Sequence, residues 1–114
     1  MDLRALDDEW LPLPEVANRL GLQPREVRAL VRDQRLVGTR LEGVEGYRVP
    51  GSFLVGDRLV DGLRGSIIQL RDAGMDDTAI VEWLLSPHAE LGEAPIRALE
   101  AGRTHAVRRA AIAD

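Results

Sequence analysis

The stretch from Leu13 to Val31 constrains the chain more tightly than any other part of it. Pro14 and Pro24 each precede a run with apolar residues at helical spacing, and Gly21 stands between them. Proline lacks the amide hydrogen that a helix's first turn leaves unpaired, and its fixed φ suits that position. Glycine takes the left-handed conformation that commonly closes a helix. The pattern predicts a short helix from Pro14 to Leu20, a tight turn at Gly21, and a second helix over 24–33. Val16, Leu20, Leu22, Val27 and Leu30 are the apolar locks between them. Ala17, four residues before Gly21, is small enough for the two helices to touch there.

Once those residues face inward, Gln23, Arg25, Arg28, Ala29 and Arg32 must face out. Three of the five are Arg, whose planar fork grips a guanine edge or a phosphate. This is the layout of a helix-turn-helix, in which the second helix enters the DNA major groove. Leu36–Leu41 and Tyr47–Val49 read as two short strands, and the glycines of 42–46 suit the turn between them. A hairpin in that place is a wing. Arg40 and Arg48 flank it and are expected on phosphates, which position a protein on DNA without reading sequence. Glu42 and Glu45 oppose DNA at the wing itself, and Tyr47 is expected to pack beneath it.

Residues 1–12 read as a frayed acidic start followed by a strand or cap, with Trp10 and Leu11 on the core. From about Phe53 the pattern is helical. Leu59, Leu63, Ile67 and Leu70 form a stripe ending at Gly74, and a helix follows from Asp76 to Leu85 with Asp76 or Asp77 as its cap. Pro95 opens another helix ending near Gly102, and 104–113 form a last one. The expected fold class is mainly α with a small β-hairpin wing: a winged helix-turn-helix over 13–54, preceded by a 1–12 segment. A helical bundle over 55–114 packs on it.

Charge distribution supports that division. The net charge is −4 and every basic residue is Arg, a usage that GC-rich coding also produces. Residues 13–48 hold seven Arg against five acids, whereas 57–114 hold seven against ten. The phosphate-facing surface is therefore sought in the first half. With no Cys, disulfides and thiolate chemistry are excluded. His88 and His105 lack partners at ligand spacing, so no metal site is expected. No phosphate-cradling glycine loop or paired acid–base signature is present, so neither catalysis nor a cofactor is expected. No apolar run is long enough to span a bilayer. Met1-Asp2-Leu3-Arg4 lacks a signal-peptide pattern, so a cytoplasmic location is expected. Without coiled-coil heptads, a monomer is expected over a homodimer.

The runs Leu13–Leu22, Val27–Val31, Leu36–Arg40 and Gly46–Pro50 resemble the excisionase and MerR-type winged helix-turn-helix. Together with Ile68–Pro87, they resemble more closely the actinobacterial DNA-binding proteins that include a mycobacterial Ser/Thr-kinase substrate. That resemblance covers nearly all of 10–113. Trp83-Leu84 before a proline, followed by Ala94–Leu99, also resembles the partner-binding C-terminal region of Xre- and ParS-type antitoxins. The resemblances imply double-stranded DNA binding in a transcriptional regulator or nucleoid-associated factor, switched off by phosphorylation. Residues 1–12 contain no Ser, Thr or Tyr, so the acceptor site of the kinase substrate does not carry over. The alternative they imply is an antitoxin-like interaction module that contacts a protein partner through Trp83.

Overall fold

A computed structural model describes residues 2–113. Helix α1 (Leu13–Leu20) ends at Gly21, whose φ of 68° is left-handed. The Leu22 amide closes the turn by donating to the Ala17 carbonyl at 2.9 Å. Helix α2 (Pro24–Arg32) follows after a three-residue gap. Val16, Ala17 and Val27 are all but fully buried in one apolar cluster.

The wing is strands β2 (Thr39–Arg40) and β3 (Tyr47–Pro50), paired antiparallel with Arg40 opposite Tyr47. Strand β1 (Trp10–Pro12) lies on the other side of β3, with Leu11 opposite Val49, giving the order β1-β3-β2. The segment before β1 is built rather than frayed. Leu3–Leu6 form a 3-10 turn capped by Asp2, and the Trp10 indole N–H donates to the Arg4 carbonyl at 3.0 Å. The Asp7 carboxylate accepts from both the amide and the hydroxyl of Ser52. These long-range bonds, absent from any local pattern, hold the segment in place.

The chain after Phe53 does not enter a helix directly. Strands β4 (Leu54–Val55) and β5 (Arg58–Leu59) form a small hairpin, with Leu54 opposite Leu59. Gly56, at φ 62°, makes the turn. Leu59 therefore sits on a strand, and helix α3 begins only at Leu63 and runs to Asp72. Helix α4 (Asp77–Leu85) is capped by the Asp76 side chain, which accepts from the Ala79 amide at 2.9 Å. Helices α5 (Pro95–Glu100) and α6 (Thr104–Ala113) complete the chain. A single apolar cluster runs from Leu11 through Phe53, Ile67 and Leu84 to Ala111, so the two halves share a core. No helix among the described residues is long and apolar enough to cross a membrane.

Gly38, just before β2, is where space matters more than dihedral angle. A Cβ there would lie 2.2 Å from the Arg48 carbonyl oxygen and 2.8 Å from the Tyr47 ring. The obstructing oxygen is backbone and cannot swing away. Gly38→Ala should therefore destabilise the protein by about 3 kcal/mol, the upper part of the usual overpacking range. Gly21→Ala, with open space but a left-handed φ, should cost about 1 kcal/mol. Urea denaturation of the two variants checks the order.

Candidate nucleic-acid interface

Spacings of three and four residues put Arg25, Arg28 and Arg32 on one stripe of α2, and all three are exposed. Glu26 and Asp77 are engaged elsewhere. Glu26 accepts from the Gln23 amide at 3.1 Å, capping the start of the helix. Asp77 pairs with Arg71 at 2.7 Å. Among the described residues, no ion pair or hydrogen bond engages the side chains of Arg25 and Arg28. Arg32 meets only its neighbour Asp33, at 3.4 Å, in an exposed pair. Such pairs contribute little in water and exchange readily for another anion. Gln23 holds the N-cap position with its side chain exposed, and Ala29 is half-buried beside the stripe.

The wing arginines differ. Arg40 is exposed, with no hydrogen bond or ion pair to its side chain among the described residues. Arg48 is half-buried and turned inward. Its guanidinium donates to the Glu45 carbonyl at 3.1 and 3.3 Å and to the Trp10 carbonyl at 3.5 Å. It ties the wing turn to β1. Glu42 and Glu45 are exposed on the wing.

A polar network fixes the wing and the end of α2 against the C-terminal half. Gln34, at φ 63°, comes just after Asp33, the C-cap of α2, and its side-chain oxygen accepts from Arg71 at 3.2 Å. The Tyr47 hydroxyl accepts from the Gly38 amide at 2.8 Å and donates to Asp77 at 3.4 Å. Thr39 and Thr78 share a hydroxyl–hydroxyl bond of 2.8 Å. Tyr47 thus packs beneath the wing, as its position suggests.

Two arginines that the motif did not single out line one groove near the C-terminal end of α2. Arg35 follows α2 and Arg64 lies in the first turn of α3, both exposed. Arg35 falls outside the helical stripe, and Arg64 lies in the half with the acidic balance, so neither periodicity nor local charge points to it. Trp83 is half-buried, its ring edge-on to His88 with centroids 5.7 Å apart. No group of three or more His, Cys, Asp or Glu among the described residues is placed to hold a metal ion.

Comparison with known proteins accounts for both halves. Residues 2–54 match the model described as "DNA-binding protein Rv2175c, wHTH domain", and residues 60–114 match the "Rv2175c C-terminal domain of unknown function". The chain belongs to the Rv2175c family. The DNA-binding protein Rv2175c of Mycobacterium tuberculosis (strain ATCC 25618 / H37Rv) is 34% identical over 86 residues, which are 75% of this chain. The match spans 58% of that relative's length. The NMR structure of Rv2175c superposes with a TM-score of 0.81 at 31% identity, covering 94% of this chain and 81% of that one. The winged helix-turn-helix expected from the sequence is thus the fold of the family.

Tyr47 offers a clean test of the network. Burial pushes its phenol above the usual value, against the opposing pull of the Gly38 amide. A raised native value means that the folded state holds the proton more tightly. Its contribution is intact below about pH 10 and is lost as pH rises through the folded value. The chain has one Tyr and no Lys, so little else titrates in that window. Wild type should lose stability above about pH 10, and Tyr47→Phe should lack this decline. The variant should also cost about 1–3 kcal/mol at neutral pH, because the buried Gly38 amide loses its acceptor. Chemical denaturation across the alkaline range reads both effects.

Proposed function

We propose that this protein binds double-stranded DNA with α2 in the major groove, as a transcriptional regulator or nucleoid-associated factor. The observation that carries the reading is the Arg25–Arg28–Arg32 stripe. It is exposed, lies on one face of a helix of groove-entering size, and is left without firm carboxylate partners by the way Glu26 and Asp77 are used. Membership of a family whose named relative is a DNA-binding protein supports it. In this reading Gln23, Arg25 and Arg28 reach base edges, Arg32 reaches a base or a phosphate, and Arg40 rests on phosphate. Arg48 shapes the wing that presents Arg40, since its donors already hold two backbone carbonyls.

A protein contact through Trp83 is a second reading, compatible with the first. Its support is the shallow groove that Trp83 forms with Met75, Ala79, Glu82 and Ser86, open on the surface of α4. Trp83→Ala should leave duplex affinity unchanged while abolishing capture of a partner from cell extract. Equal capture by variant and wild type would remove this reading.

For the DNA reading, Arg28→Ala should weaken duplex binding by about 1–3 kcal/mol and relax selectivity at one base position. Arg40→Ala should weaken all sequences alike. Wild-type affinity should fall steeply as salt rises, because each arginine–phosphate contact releases counterions. Mobility shifts on a randomised duplex library, read by sequencing, measure all three. Absence of binding to any duplex at low salt would refute the proposal.

A further inference from the structure

The C-terminal half matches a model described only as of unknown function, yet its first helix lies beside the end of α2. Arg35 and Arg64 line one groove of about 240 Å³ together with Leu30, Leu59 and Leu63, and Asp61 is its one acid. Both arginines are exposed, and no hydrogen bond or ion pair engages either side chain among the described residues. Next to Arg64, the missing side chain of Gly65 makes room for a third. A Cβ there would meet Nη2 of Arg108, from α6, at 2.8 Å. Arg108 is exposed too, and its main-chain carbonyl accepts from Gln69 at 3.0 Å while, among the described residues, no bond engages its guanidinium.

Arg19, Arg71, Arg97 and Arg103 each close on a carboxylate at 2.7–3.4 Å. Around the first turn of α3, by contrast, Arg35 and Arg64 share one groove and the Arg108 guanidinium lies over Gly65, with no carboxylate closing on any of the three among the described residues. In a chain of net charge −4, such a group of arginines is a place that attracts a polyanion. Leu30 is on the inward side of α2, and Arg35 comes three residues after Arg32, the last arginine of the stripe, so the groove adjoins the C-terminal end of α2 rather than the stripe's own face. A duplex entered by α2 would have to pass a sugar–phosphate strand by that end of the helix for the groove to reach it.

We infer that Arg35 and Arg64, backed by Arg108, form a phosphate clamp through which the C-terminal half grips the backbone of the duplex that α2 enters. The inference rests on the DNA-binding reading above. It makes the C-terminal half part of the binding surface, one that adds affinity without adding sequence preference. Asp61 offsets some of the attraction and keeps the phosphate at the groove's rim.

The test is the salt dependence of binding of the full chain to a short mixed-sequence duplex, followed by fluorescence anisotropy. Wild type is compared with Arg64→Gln, Arg35→Gln, Arg28→Gln and Arg97→Gln. The last carries the same charge change on α5, in a pocket with Asp7 and Asp8. Arg64→Gln and Arg35→Gln should each lower the slope of log K against log salt by about 0.9, the value for one phosphate contact. Each should also weaken binding several-fold for every sequence, with melting temperature unchanged because the side chains are exposed. Arg97→Gln should behave as wild type. Wild-type slope and affinity in Arg64→Gln, alongside a loss in Arg28→Gln, would overturn the clamp and leave the DNA reading standing. An effect of Arg64→Gln no larger than that of Arg97→Gln would reduce it to net charge and also overturn it. No duplex binding by wild type would end both.

Discussion

Helix α2 is attached to the molecule by very little. Val27 is its one fully buried residue, and Leu30 and Val31 are half-buried beside it. Burying an aliphatic side chain of this size contributes about 1.5–3 kcal/mol, enough to seat a nine-residue helix against α1 but not to fix its angle. The same sparse attachment leaves the opposite stripe in open water. A more deeply buried α2 would have fewer positions for arginine and less reach into a groove. Exposure of the arginines and weak anchoring of the helix are therefore one property seen from two sides.

What the apolar seam leaves undetermined, the polar network behind α2 supplies. Arg71 holds Gln34, the residue at which the chain leaves α2, and the same guanidinium pairs with Asp77. Asp77 in turn receives Tyr47 from the wing, and Tyr47 receives the Gly38 amide. The exposed ends of this network contribute little to stability, as partly solvated ion pairs generally do. Its effect is geometric, because helix, wing and C-terminal half are referred to one set of atoms. A winged motif cut from its C-terminal half would lose both the Arg71 anchor and the shared core.

The parts legible in the sequence are those decided locally. Pro14, Gly21, Pro24 and Asp76 set helix ends through their own backbone chemistry, and the structure has those ends within a residue or so. The outward stripe of α2 followed by elimination once its apolar positions were assigned. Leu59 misled because it fits a helical spacing with Leu63 and Ile67, while the Gly56-Asp57 turn before it signals a hairpin. The ordering of residues 2–9 depends on partners some forty positions away, such as Ser52 for Asp7, and no local pattern encodes that. Arg48 shows the same limit at the site. Its sequence position is as suited to phosphate as that of Arg40, but its guanidinium turns back onto the Glu45 carbonyl of its own wing turn and, where β1 approaches, onto the Trp10 carbonyl.

The most direct measurement is an amide NMR titration of the full chain with duplex DNA. Entry of α2 into the groove predicts the largest shift changes along 23–35, at Arg40, and around Arg64 and Gly65, with Trp83 and its neighbours on α4 unmoved. Perturbations confined to α4 and α5, with the α2 amides unchanged at saturating duplex, would contradict it.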